Sequence, residues 1–174
     1  MEGYLLRRVE IEAMAGTAKT HFLEPGAKRL NKSLGDATGL TGIGFHLIEV
    51  QPGDDSTALH VHSNEDECVY VLSGRGTAYI GDEMFEISAG DFIGYRKGGA
   101  AHRLRNSGGT VLRCLVAGER NAHDVCDYPE AGQRLLRAPG LPGSVTPLAA
   151  IRELPAGVGN CLLYTSDAAD EEDS

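Results

Sequence analysis

Tryptophan is absent, and aromatic residues make up only 6% of the 174 positions. A core of stacked rings is thereby excluded, and a mostly aliphatic one is expected. The four cysteines, at 68, 114, 126 and 161, form no Cys-x-x-Cys pair. That spacing argues against a zinc knuckle and a disulfide framework; Cys68 and Cys114 stand in apolar runs and read as small buried hydrophobes. There is no basic excess. The net charge is −9, which excludes the electrostatic footprint of a nucleic-acid binder and a polybasic membrane patch. Five of the 25 acids lie in Cys161–Ser174, which holds no base, so the rest of the chain is only mildly acidic. No apolar run approaches the length of a membrane span, and Met1–Glu12 lacks the apolar stretch of a secretory signal. A soluble, cytoplasmic setting is the expectation.

Glycine, by contrast, is plentiful at 23 residues, which suits short strands joined by tight turns. From Ile43 onward β-rich segments alternate with turn signals: 43–50, 59–62, 68–72, 77–80, 84–87, 92–95, 101–106 and 110–117. About eight short strands at this spacing predict an all-β sandwich or barrel. Residues 1–42 read as an irregular arm with one or two short strands, 43–120 as the barrel, and 121–160 as an extension. Within that extension Pro129–Arg137 is the best helix candidate. Cys161–Ser174 resembles a translated sequencing adapter; it is read as non-native and set aside from fold reasoning.

The chemistry concentrates in Gly53-Asp-Asp-Ser-Thr-Ala-Leu-His60-Val-His62-Ser-Asn-Glu-Asp-Glu67-Cys-Val-Tyr-Val-Leu-Ser-Gly74. Strand residues two apart share a face, so His60 and His62 project together. Glu67 opens the next strand, and the hairpin can present two imidazoles and one carboxylate to one space. His102, in a later strand after the turn Lys97-Gly-Gly-Ala-Ala, would be the fourth ligand. Glu65 and Asp66 are alternatives to Glu67 but are expected to point to solvent. Three His and one Glu suit a single divalent transition metal (Fe, Mn, Zn, Ni, Co or Cu), with one or two positions open for water, dioxygen or substrate.

These residues resemble the two motifs of the cupin superfamily. The first runs Gly, several residues, His-x-His, three or four residues, Glu, six residues, Gly, and is matched by Gly53, His60, His62, Glu67 and Gly74, with six residues rather than five before His60. The second is matched by Gly90, His102 and Asn106; Arg96 stands where Pro is usual, and one extra residue precedes His102. More closely, residues 20–137 look like a group of bacterial single-domain cupins of unassigned activity, through Thr20-His-Phe-Leu-Glu-Pro, Tyr70-Val-Leu-Ser-Gly, Gly90-Asp-Phe-Ile-Gly-Tyr and His123-Asp-Val-Cys-Asp-Tyr-Pro. Some of these relatives carry sugar-phosphate isomerase labels by analogy. The resemblance implies a double-stranded β-helix (a jelly-roll barrel), usually a homodimer, with a metal inside. The arm before the barrel suits exchange between two subunits.

Two functions follow. One is a metalloenzyme acting on a small oxygenated substrate, of dioxygenase, isomerase or lyase type. The other is a non-catalytic cupin that binds a small ligand or metal. A purely structural barrel has no need of the four-ligand set. If a proton moves, Tyr95 and His46 are the candidate catalytic residues, although His46 also reads as a hydrogen-bonded pocket-wall histidine and Tyr95 as simple packing, as does Tyr79. His21 is expected at the surface or an interface. His123-Asp124 reads as structural capping, Arg96 and Lys97 as a solvated basic edge, and Arg103 and Arg105 as facing away from the metal. Neither nucleic acid nor membrane is expected as a partner.

Overall fold

The structure is a computed structural model that describes residues 3–154, so the reading of Cys161–Ser174 lies outside the described residues. Two short helices, α1 (Arg8–Ala13) and α2 (Leu34–Ala37), accompany thirteen described strands. These are β1 (Thr17–Thr20), β2 (Lys28–Ser33), β3 (Ile43–Val50), β4 (Val61–His62), β5 (Glu67–Ser73), β6 (Arg75–Ile80), β7 (Glu83–Ser88), β8 (Phe92–Tyr95), β9 (His102–Arg105), β10 (Leu112–Glu119), β11 (Asp124–Tyr128), β12 (Gln133–Arg137) and β13 (Ser144–Pro147). None of the described helices is long and apolar enough to cross a membrane.

The strands roll into two facing layers. One is a six-stranded antiparallel sheet in the order β1-β2-β3-β10-β5-β8. The other is assembled from β13-β12-β11-β4 and β7-β6-β9. His60 and His102 join these two pieces: their main chains exchange hydrogen bonds of 3.1 and 2.7 Å. The pairing that closes the barrel thus also brings two of the motif histidines side by side.

The register of the six-stranded sheet explains where the core ends and a cavity begins. On its inner face Cys114 lies opposite Ile48 and Val71, and Val116 lies opposite His46 and Val69. The next row is Gly118, opposite Gly44 and Glu67, with Glu67 facing Tyr95. Side chains therefore grade from aliphatic to polar along one direction. Ile48, Val50, Val69, Val71, Ala78, Ile87, Leu104, Leu112 and Cys114 pack into a single aliphatic cluster, with Tyr95 at its edge. Gly44 and Gly118 carry no side chain to fill the space beyond it.

The glycine and asparagine of the sequence motifs hold turns. Gly74 has φ +90°, and a Cβ there would stand 2.6 Å from the Val111 carbonyl oxygen, a contact only glycine avoids. Asn106 is fully buried; its amide donates to the carbonyls of Val50 (2.7 Å) and Thr110 (2.8 Å) and its oxygen accepts from Gly108 N (3.0 Å). It ties the β9–β10 connection to β3.

Two expectations are corrected here. Pro129–Arg137 is not a helix. Pro129 and Gly132 (φ +61°) lie in the turn of the β11–β12 hairpin, and residues 133–137 pair with β11 on one side and β13 on the other. Arg134 grips Asp127 across that hairpin at 2.6 and 2.8 Å, an interstrand fork that a helix would break. The hairpin expected to present His60, His62 and Glu67 together is not formed either: β4 pairs with β11 in one layer, and β5 with β10 and β8 in the other. Residues 3–42 contain the short strands expected there. Strands β1 and β2 extend the main sheet beyond β3, which carries N-terminal residues to the cavity.

Candidate metal centre

The cavity above the aliphatic cluster has a volume of about 570 Å³ and is lined by residues from both layers, including His46, His60, His62, Glu67, Tyr95 and His102. His60 (7% exposed) and His102 (4% exposed) are buried. The ring centroids of His60 and His62 are 5.1 Å apart, and those of His60 and His102 are 4.6 Å apart. Ligand-type atoms of His60, His62 and Glu67 all lie within 4.8 Å of one another. The Glu67 carboxylate Oε2 stands 3.6 Å from His60 Nε2 and 3.5 Å from His102 Nε2.

The hydrogen bonds on the far side of each ring fix which nitrogen faces the centre. His60 Nδ1 lies 2.9 Å from the Ala58 carbonyl and His102 Nδ1 3.3 Å from the Ala100 carbonyl. A carbonyl only accepts, so Nδ1 carries the proton in both rings and Nε2 keeps its lone pair. His62 Nδ1 donates to Asp124 Oδ2 at 2.7 Å. Three imidazoles held by outer acceptors, each offering Nε2, form the arrangement that metal-binding histidines adopt.

This donor set fits a cation on the structure's own evidence. His102 Nε2 is buried without a hydrogen-bond partner. Lone pairs of the imidazoles converge on a carboxylate, and separations of 3.5–3.6 Å exceed those of a formed hydrogen bond. Burial pushes the Glu67 carboxyl up, yet the nearby His102 and His60 rings outweigh it and hold the group below its ordinary range. Burial keeps His102 below the ordinary imidazole value, although Glu67 opposes this. Ionised Glu and neutral His are the protonation states a metal requires.

Tyr95 and His46 both line the cavity, with different freedom. The Tyr95 ring stacks on His102 with centroids 3.7 Å apart and planes 5° from parallel. Its hydroxyl is buried without a partner, and burial, aided by Glu67, pushes its pKa up. It is therefore a proton donor rather than a phenolate base. His46 lies 3.3 Å from Asn31 Nδ2 through Nδ1, and burial, with Lys19 and Arg120, holds its pKa down. It faces the cavity as a neutral imidazole.

Several placements differ from those read in the sequence. Glu65 does not point to solvent: it is 7% exposed, ion-paired with Arg137 at 2.6 Å, and accepts from Asn121 N at 2.7 Å. Asp66 does lie at the surface, where it accepts from Lys97 N. His21, expected at the surface or an interface, is partly buried, lines the cavity and stacks on Phe22. Tyr79 packs under the Arg103 guanidinium, 4.7 Å from its ring centroid. Lys97 lies 3.9 Å from Glu119. Arg103 and Arg105 turn to Glu130 and Asp55.

Asp124 is the residue that sequence reasoning missed. It is fully buried, and besides His62 it accepts from Asn64 N (3.2 Å) and Arg137 Nη2 (2.9 Å). The pair His123-Asp124 was visible, but the half that meets a candidate ligand is the aspartate; its partner His62 lies 62 residues away. Arg29 was missed as well. The strand β2 brings it into the cavity lining, a placement no local signal announces.

The barrel, the two histidine-bearing motifs and the buried carboxylate together define a cupin, and the chain belongs to that superfamily. The cupin domain model matches residues 46–118. The chain is similar to a candidate sugar phosphate isomerase from Acidithiobacillus ferrooxidans, with 47% identity, a TM-score of 0.85 and coverage of 88% of this chain and 97% of that one. It shares its fold with a sugar phosphate isomerase of a cupin superfamily from Silicibacter pomeroyi, at 24% identity and a TM-score of 0.71, covering 87% of this chain and 97% of that one. Among curated proteins it is 33% identical over 72 residues to the oxalate-binding protein of Thermotoga maritima, or 41% of this chain and 58% of the relative. The curated relatives that it matches are spanned over only 63% and 58% of their lengths.

Proposed function

We propose that the protein holds one divalent transition-metal ion through Nε2 of His60, His62 and His102 and the Glu67 carboxylate, and acts as a metalloenzyme on a small oxygenated substrate. The observation that carries this reading is the buried, unpartnered Nε2 of His102, which faces the Glu67 carboxylate together with His60 Nε2, beside a His60–His62–Glu67 group whose ligand-type atoms lie within 4.8 Å of one another. Four protein ligands leave one or two positions open, and a bound metal would there supply Lewis acidity or a redox centre. The chain's own residues provide the rest. Tyr95, protonated and stacked on a ligand, can donate a hydrogen bond or proton to a substrate oxygen. His46, neutral and about half-buried, can accept a proton. The aliphatic floor of Ile48, Val69 and Leu104 excludes water from beneath the centre.

The names of the relatives, sugar phosphate isomerase and oxalate-binding protein, support small oxygen-rich molecules as substrates. The second reading is a cupin that binds such a molecule without turnover, as the name of the Thermotoga relative has it. The metal is tested by elemental analysis of protein made in media supplemented with iron, manganese or zinc. One equivalent per chain is expected, and it should be lost in His60→Ala. Purified protein that takes up none of the three sinks the proposal. Turnover against sugar phosphates, keto acids and catechols separates the two readings: product that disappears in His60→Ala marks an enzyme, and binding without product marks a sensor. Dioxygen uptake with iron would mark oxygenase chemistry; isomerase or lyase chemistry needs none.

A further inference from the structure

We propose that Arg29, seconded by Lys19, is an anion-binding site in the cavity wall, so that the substrate of the metal centre carries a carboxylate or phosphate group. This rests on the reading of the cavity as a substrate site and adds its charge class. The cavity is lined by several guanidinium-bearing residues. Arg103, Arg120 and Arg137 each meet a carboxylate, of Glu130 (2.7 Å), Asp36 (2.6 Å) and Glu65 (2.6 Å) respectively. Arg29 meets none among the described residues. Its Nη1 donates to the Ser56 carbonyl, and its Nε is buried without a partner.

An arginine largely withdrawn from water and without an acid partner is costly. The register makes it costlier, because Lys19 lies directly opposite Arg29 across the β1–β2 pair. Like charges facing each other across strands are destabilising, and both residues line the cavity. Such an arrangement is stabilised once an anion sits between the cations and the site. With Nη1 held by the Ser56 carbonyl, the Nε–Nη2 edge of the guanidinium makes no hydrogen bond among the described residues, and such an edge suits a carboxylate or phosphate through two parallel hydrogen bonds. Asn31, His46 and Ser56 share the cavity and carry no negative charge; of the carboxylates that also line it, Glu67 acts on Arg29 from beyond ion-pair distance. The substrate would then be held at two points, its oxyanion on Arg29 and its other oxygens toward the Nε2 atoms of the histidines.

The test is calorimetric titration of metal-free and zinc-loaded protein with malonate, malonamide and inorganic phosphate. Metal-free wild-type protein should bind malonate or phosphate and ignore malonamide. Arg29→Gln should weaken anion binding by about tenfold or more, since charge-assisted hydrogen bonds are the stronger class. Arg29→Lys should retain part of it, and Lys19→Gln, at an exposed position, should weaken it without disturbing the fold. A preference for malonate assigns a carboxylate, and a preference for phosphate assigns a phosphate ester. Equal affinity in wild type, Arg29→Gln and Lys19→Gln overturns the proposal, as does equal binding of malonamide. Normal zinc content with no anion binding refutes the anion site alone, whereas anion binding in protein that takes up no metal refutes the metal centre alone.

Discussion

Replacing Asp124 by asparagine should separate orientation of a ligand from the ligand itself. The Asp124 carboxylate takes three donors: His62 Nδ1 at 2.7 Å, Arg137 Nη2 at 2.9 Å and Asn64 N at 3.2 Å. An amide offers one oxygen and one NH2, so in either orientation its NH2 meets a donor. With the NH2 toward His62, Nδ1 must become the acceptor. The proton then moves to Nε2, and the nitrogen proposed to bind the metal loses its lone pair. Loss of such an outer partner typically weakens metal binding about 10- to 100-fold, or about 1.4–2.7 kcal/mol at 1.36 kcal/mol per decade. The loss in fold stability should be modest for a buried charge. Arg137 keeps Glu65 at 2.6 Å and is 38% exposed, so about 1–3 kcal/mol is expected. Zinc competition against a chromophoric chelator reads the first quantity, and thermal unfolding of the metal-free protein reads the second. Arg137→Gln is the control: it should lower stability while leaving the His62–Asp124 bond and zinc affinity near wild type. Zinc affinity within about twofold of wild type in Asp124→Asn, or an equal loss in Arg137→Gln, would refute the orienting role.

Acid should destabilise the metal-free protein in two stages. His21, His46 and His102 are all held below their ordinary value by burial; the folded state binds fewer protons, so their contribution is present above about pH 6.5 and lost as pH falls below it. Glu67 and Asp124 are also depressed, because their imidazole and guanidinium partners outweigh burial, and their contribution fades below about pH 4; denaturant melts across pH 3–8 that were flat, or that rose toward acid, would contradict both signs. Gly74→Ala should cost about 1–3 kcal/mol, since φ is +90° and the new Cβ would meet the Val111 carbonyl at 2.6 Å; Gly109→Ala, where a Cβ meets nothing within 4 Å, should lose much less in the same melt.

What could be read from the sequence divides by range of interaction. Ile43–Val50 and Phe92–Tyr95 were bounded to the residue, because turn glycines and period-two apolar patterns are local signals. The convergence of His60, His62 and Glu67 was expected from a hairpin, but β4 pairs with β11 and β5 with β10 and β8, so the three meet across the two layers. Pro129–Arg137 misled because Leu135, Leu136 and flanking arginines look the same on a helix as on a strand; pairing with β11 and β13 decided between them. Glu65 was misplaced for a related reason. A carboxylate in a turn is normally solvated, and only Arg137, 72 residues on, makes burial tolerable.

The residues that sequence reasoning missed share a physical origin. Arg29 and Asp124 lie outside the 46–118 segment that matches the cupin domain, on strands that flank the barrel at its two ends. The motif segment itself contributes the imidazoles and the Glu67 carboxylate. β11 turns His62 through Asp124, and β2 lines the cavity with a guanidinium that lacks an acid partner. A barrel can keep its ligand set while its flanking strands change, so differences in metal affinity and substrate charge between such proteins should map to β2 and β11. Exchanging Arg29 for glutamine should therefore alter which small anions bind while leaving zinc stoichiometry at one per chain, and Asp124→Asn should do the reverse, weakening zinc without changing the preference for malonate over malonamide. Variants that failed to separate in this way would show that the metal and the anion share one set of determinants.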